Sequence, residues 1–303
     1  MPPLAYLNGR LLPASQATIS VEDAGFVLGV TVAEQLRTFG GRLFRLEQHL
    51  ERMERSLQIV GVDLGLARAE LIRIAEELIA HNHSLLADGD DLGLAIFVTP
   101  GIYATFAVGE ASGPTVGMHT YPLPFSLWAD KYEQGQSLVT TSVQQAPTEC
   151  WPPELKCRSR MHYYLADREA RSIDPQARAV LQSLDGAITE TSTSNVLIYN
   201  AREGLVSPPE SDILPGISLA ATRDLAQQCG IPFSERRLMP DDLSAADEVL
   251  LTSTPNCLVP VTRFNLRPIG TGQPGDTFRR LLAAWSQIVG LDVAAQAGQF
   301  RSR

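Results

Sequence analysis

The chain has 303 residues, 44% of them apolar and 19% charged, with a net charge of −9. That is a globular composition, long enough for two domains and too acidic for a nucleic-acid-binding surface or a polybasic membrane patch. No apolar run nears the roughly 20 residues of a membrane span, and "MPPLAYLNGRLLPAS" lacks the layout of a secretory signal, so the expected location is the cytoplasm.

Residues 4–13, "LAYLNGRLLP", read as a hairpin turning at Asn8-Gly9, and residues 31–46 as a second turning at Gly40-Gly41. In "EQHLERMERSLQIV", Leu50, Met53, Leu57 and Val60 recur on one helical face. A second amphipathic helix covers 66–82, and "LGLAIFVTPG" reads as a buried strand stopped by Pro100-Gly101. The proline-rich stretch 121–135 is the predicted linker, between a small N-terminal α/β domain (1–120) and a larger domain (136–303). Beyond it come strands at 137–143 and 179–184, a helical stretch after Lys156, a turn at Asp185-Gly186 and the segment "AITETSTSNVLIYN". A helix opens near Pro215 and stops at Gly230, "EVLLTST" is a strand, and "DTFRRLLAAWSQIV" a closing helix. Strands and helices mix without the alternation of a doubly wound sheet, so the fold class is α+β in two domains.

The chemistry starts from a scarcity. Of 25 basic residues only Lys131 and Lys156 are lysines. The four cysteines have no CxxC spacing, and His81 and His83 sit at a helix end beside a loop expected to be solvated; no metal site is indicated. Lys156 offers a nucleophilic amine, and Glu190 in "DGAITETSTSN" a carboxylate among small hydroxyl residues. "LPGIS", with Gly216, Ile217 and Ser218, opens a helix whose free amides favour a phosphate, while Ser253 and Thr254 add hydroxyls and Arg52 a fixed charge. Amine, carboxylate and phosphate cradle are the parts that pyridoxal 5′-phosphate (PLP) requires.

With these segments in order, the chain resembles the class IV aminotransferases, the fold-type IV PLP enzymes. They include branched-chain and D-amino acid aminotransferases and 4-amino-4-deoxychorismate lyases. The resemblance runs through "GGRLFRLEQHLERMERSL", "LDGAITETSTSNVLIYN", "ILPGISLAAT" and "ADEVLLTSTPNCLVPV". It implies that Lys156 is the catalytic lysine bonded to PLP, and that Glu190 meets the ring nitrogen. Arg52, Ile217, Ser218 and Thr254 hold the phosphate. It further implies a barrel-like larger domain, a homodimer, and as substrates an amino donor, with branched-chain amino acids among the candidates, and a 2-oxo acid. Ala33 replaces a large aromatic of the pocket strand, and Arg37 farther along it can meet a substrate carboxylate or lie exposed. Pro100 stands where many relatives carry arginine, which turns the reading from the D-amino acid branch. Met161 stands where branched-chain enzymes place a tyrosine and is expected in the core. Transamination is the leading activity; aminodeoxychorismate lysis and a non-catalytic binding module are the alternatives.

Overall fold

A computed structural model describes residues 1–107 and 113–303. Its chain forms two compact units. The first is Met1–Leu123 with a short return, Leu155–Ser159; the second is Pro124–Glu154 with Arg160–Arg303. Nothing in the sequence pattern marks that return. Among the described residues no helix is long and apolar enough to cross a membrane.

The first unit begins with β1 (Leu4–Leu7) and β2 (Arg10–Pro13), joined through Asn8 and Gly9 at φ of 46° and 86°. Both left-handed conformations suit a two-residue hairpin whose twist matches its strands. Then come α1 (Ala24–Val27), β3 (Val32–Phe39), β4 (Arg42–Leu43), α2 (Leu46–Val60), α3 (Arg68–His83), β5 (Leu92–Thr99) and β6 (Thr115–Pro122). The strands make one six-stranded sheet in the order β2-β1-β6-β5-β3-β4. Leu50, Met53 and Leu57 of α2 pack with Val32, Leu36, Leu94 and Ile96 in one core. Each such fully buried side chain contributes about 1.5–3 kcal/mol. β6 sits between β1 and β5, yet the sequence pattern does not announce it: Gly117, His119 and Tyr121 alternate with the buried Val116 and Met118 and dilute its apolar signal. His81 and His83 lie in the last turn of α3, at the helix end as expected; their rings meet the carbonyls of Pro2 and Asp90.

The second unit runs through α4 (Lys131–Gln134), β7 (Gln136–Thr140), α5 (Met161–Ile173), β8 (Ala177–Gln182), β9 (Ile188–Thr191), β10 (Asn195–Asn200) and β11 (Gly204–Ser207). It continues with α6 (Ile217–Gln228), β12 (Phe233–Glu235), α7 (Pro240–Ala245), β13 (Glu248–Ser253), β14 (Cys257–Phe264), β15 (Arg267–Pro268), α8 (Asp276–Val289) and α9 (Val293–Gln299). The path β10-β13-β14-β7-β8-β9 returns to β10, which closes a six-stranded barrel. The closing pair is Asn195 opposite Glu190. Ala166 and Ala170 of α5 are fully buried, with Tyr163 packed on their cluster. Met161 is 70% exposed and so not a core residue; at 3.6 residues per turn the inward stripe of α5 runs through 163, 166 and 170.

Candidate active site

The barrel closure fixes the first catalytic candidate. Glu190 is buried, which rules out a solvated strand end. Its Oε1 accepts the Tyr163 hydroxyl at 2.6 Å and, more weakly, Gln145 Nε2 at 3.4 Å. Its Oε2 receives the Leu214 amide at 3.3 Å and Asn195 Nδ2 at 3.4 Å. Burial, joined by the charge of Glu190 and the bond to it, pushes the Tyr163 phenol well above its usual range. The phenol therefore stays protonated, and a donor, at any ordinary pH.

Asn195 ties this carboxylate to an anion cradle. Its Nδ2 donates to the Leu214 carbonyl at 2.9 Å, just before α6. A Cβ on Gly216 would lie 2.0 Å from Asn195 Oδ1, so any other residue there forces the Asn195 side chain to shift. Gly216 offers no capping side chain to α6, leaving the first-turn amides of Ile217 and Ser218 and the helix dipole directed at the space before the helix. One turn on, Thr222 Oγ1 meets Thr252 Oγ1 at 3.2 Å, and Thr252 is the register partner of Asn195. The half-buried Thr254 follows in the β13–β14 turn, while the Ser253 hydroxyl donates to Asn256 at 2.9 Å. The second unit thus brings Glu190, Ile217, Ser218 and Thr254 onto connected elements. Beside Glu190, Gln145 Oε1 is buried with no hydrogen-bond partner among the described residues. A carboxylate to accept from a protonated ring nitrogen, an orphaned acceptor beside it and the donating amides of an uncapped helix start form a set of polar groups that fits PLP.

The first unit carries the lysine. The backbone N–H of Lys156 donates to Ser56 Oγ at 3.1 Å, and its carbonyl accepts the Ala33 amide at 3.0 Å. With Cys157 bridged to Val32, the return completes the part of β3 that β4 leaves open. Under the same strand lies a buried ionic cluster. Arg52 grips Glu34 through Nε and Nη2, both at 2.8 Å, and His49 Nδ1 lies 2.7 Å from Glu34 Oε2. Burial alone would raise the Glu34 carboxyl, but the charge and hydrogen bond of Arg52, helped by His49, hold it far below the carboxylate range. Burial depresses the His49 ring despite Glu34, with the charges of Arg52 and Lys156 adding to the effect. Glu34 is therefore charged and His49 neutral, with Nδ1–H donating to the carboxylate. Its Nε2 is left as a buried lone pair with no partner among the described residues.

Arg37 belongs to the opposite face of β3 from Glu34. It is 1% exposed, with its guanidinium 4.1 Å over the Phe39 ring and Nε donating to the Thr38 carbonyl, which overturns the exposed-charge alternative. On that face Ala33 pairs with Phe97 and Phe97 with Gly117; farther along, Arg37 pairs with Gly93 and Gly93 with Tyr121. A Cβ on either glycine would sit 2.1 Å from the neighbouring ring, so the Phe97 and Tyr121 rings lie flat across the sheet. The aromatic missing at Ala33 thus has one directly beside it on β5. Sequence reasoning missed Tyr163, Gln145, Asn195, Glu34 and His49. Only the last had a local signal: His49 and Arg52 share a helical face at i, i+3.

The sequence matches the family described as Amino-transferase class IV over residues 31–264. It is 29% identical over 278 residues to the D-alanine aminotransferase of Bacillus licheniformis, covering 91% of this chain and 94% of that one. It is 27% identical over 296 residues to the D-alanine aminotransferase of Staphylococcus epidermidis, covering 94% and 97%. The fold is shared with the branched-chain amino acid aminotransferase of Escherichia coli, at a TM-score of 0.86, 23% identity and coverage of 96% and 95%. It is also shared with the T.th. branched-chain amino acid aminotransferase, solved with pyridoxamine 5′-phosphate, at a TM-score of 0.84, 24% identity and coverage of 96% and 95%.

Proposed function

Because the chain belongs to the class IV aminotransferases, a PLP-dependent enzyme family, we propose that it moves an amino group from an amino acid with an apolar side chain to a 2-oxo acid. The observation that carries this reading is the buried Glu190, gripped by Tyr163 at the barrel closure and linked through Asn195 to an uncapped helix start. When bound, PLP supplies an aldehyde for the donor nitrogen and a ring that draws electrons from the donor Cα. Glu190 accepts the ring N–H and keeps that proton in place. The amides of Ile217 and Ser218, the Thr254 hydroxyl and Arg52 take the phosphate. The Lys156 amine holds the cofactor and, once displaced, takes and returns the proton at the donor Cα. Ala33 leaves room for the donor side chain, and Arg37 supplies a fixed charge for its carboxylate. The chain acts as a homodimer, a role supported by exposed apolar residues such as Val21, Phe26 and Leu28.

The test is uptake of PLP, borohydride reduction and peptide mapping. The label is expected on Lys156 and absent from Lys156→Ala; a wild-type chain that stays colourless with added PLP refutes the enzyme reading and favours the binding module. A half-reaction screen over D-alanine, branched-chain L-amino acids and amines then names the donor through loss of the visible band. The named relatives make D-alanine the first to try, against the expectation from Pro100. Pyruvate released from aminodeoxychorismate, with no amino transfer, moves the chain to the lyase branch.

A further inference from the structure

We propose that Tyr163 is the positioning residue for the ring-nitrogen carboxylate, its phenol steered by Gln145 to orient Glu190 and keep it ionised. The inference rests on the PLP reading above. Gln145 Nε2 donates into the Tyr163 hydroxyl at 3.0 Å, and the hydroxyl lies 2.6 Å from Glu190 Oε1. With its oxygen already accepting from an amide N–H, the phenol has its own proton to give, and the carboxylate can only accept it. A donor to an ionised acceptor is the strong kind of hydrogen bond, and it favours the charged form that a protonated ring nitrogen needs opposite it.

The ring itself is fixed. The Arg160 guanidinium lies 4.6 Å over it, the His162 ring is 4.0 Å away, and it packs on the Ala166 and Ala170 cluster. The direction of the phenol is thus set by packing from one side and by Gln145 from the other. The branched-chain enzymes' tyrosine near the cofactor hydroxyl is Met161 here, exposed. Two residues on, Tyr163 stands on the inward stripe and serves the acid instead.

The decisive measurement is a double-mutant cycle on PLP affinity, read from visible absorbance on titrating the apo-chain. Tyr163→Phe keeps the ring and its packing and removes only the hydroxyl. Its dissociation constant is expected to rise about tenfold or more, the range for a bond to a charged group. In a Glu190→Gln background the same change is expected to do almost nothing, because the group through which Tyr163 acts is no longer charged. An equal loss in both backgrounds assigns the effect to packing and overturns the proposal, as does no loss in the wild-type background. Should Tyr163→Phe fail to fold by circular dichroism, Gln145→Leu takes its place in the cycle with the same criteria. A wild-type chain that takes up no PLP refutes the cofactor reading and this inference with it; uptake with an additive cycle refutes this inference alone.

Discussion

Glu34→Gln is the most exacting perturbation of the first unit. The substitution keeps the side chain's shape and its bond to His49 but removes the charge opposite Arg52, which is 3% exposed and held through two bonds of 2.8 Å. Breaking a buried pair by removing one partner costs about 3–5 kcal/mol, because the remaining charge stays desolvated. For a unit of this size that corresponds to a fall of roughly 10–20 °C in its melting temperature. Scanning calorimetry follows the transition, and far-UV circular dichroism confirms that the fold survives at low temperature. The companion variant Glu34→Gln/Arg52→Met removes both charges and is expected to regain most of the loss, since apolar replacement of a buried pair is often neutral. A single variant melting within about 2 °C of the parent, against the scale just given, refutes the assignment. So does a double variant no more stable than the single.

Acid should find the same cluster. Glu34 and His49 both have folded values below their free ones of 4.5 and 6.5, so each binds fewer protons folded than unfolded. Stability is therefore full above the free values and falls with acid, first below about 6.5 through His49 and more steeply below about 4.5 through Glu34. Melting temperatures across that window check this, with His49→Gln expected to flatten its upper part; an unchanged melt from neutrality to pH 5 opposes it. Gly216→Ala should lower stability by about 1–3 kcal/mol and weaken PLP binding. Its Cβ displaces the Asn195 amide that holds the Leu214 carbonyl; denaturant melts and PLP titration report the two effects, and wild-type values in both would show that the cradle yields without harm.

What the sequence disclosed follows from the range of the signals. Helix α8 was legible residue for residue because its apolar stripe is local, as were the turns at Asn8-Gly9 and Gly40-Gly41, where positive φ demands such residues. Strand β6 was not, since its side-chain alternation includes glycine and it ends in a proline. Lys156 stood out by rarity and Glu190 by its segment, but neither anchorage did. The lysine is held by a bridge between Cys157 and Val32, and the carboxylate by Gln145 and Tyr163, 45 and 27 residues away in the chain. Such contacts depend on strand register and on which helical residue turns inward, and no local periodicity encodes them. Met161 shows the point in reverse: its apolar character suggested the core, while its angular position on α5 sends it outward.

The Glu34 pairing also reframes the role expected of Arg52. With Glu34 ionised and His49 neutral, the charges of the cluster sum to zero. In the role proposed for Arg52, attraction of a phosphate would therefore rest more on the direction of the guanidinium, set by a rotamer that Glu34 fixes beforehand, than on the net charge of the pair. The α6 start, in its proposed role, would work the same way, with backbone amides and a dipole rather than an added cation. Both devices trade strength of attraction for fixed direction. Under the proposed reading, an acidic chain, which repels anions at a distance, would gain most from that arrangement: a doubly charged phosphate would be selected by donors fixed in direction, and not by a loose basic patch that any anion would satisfy.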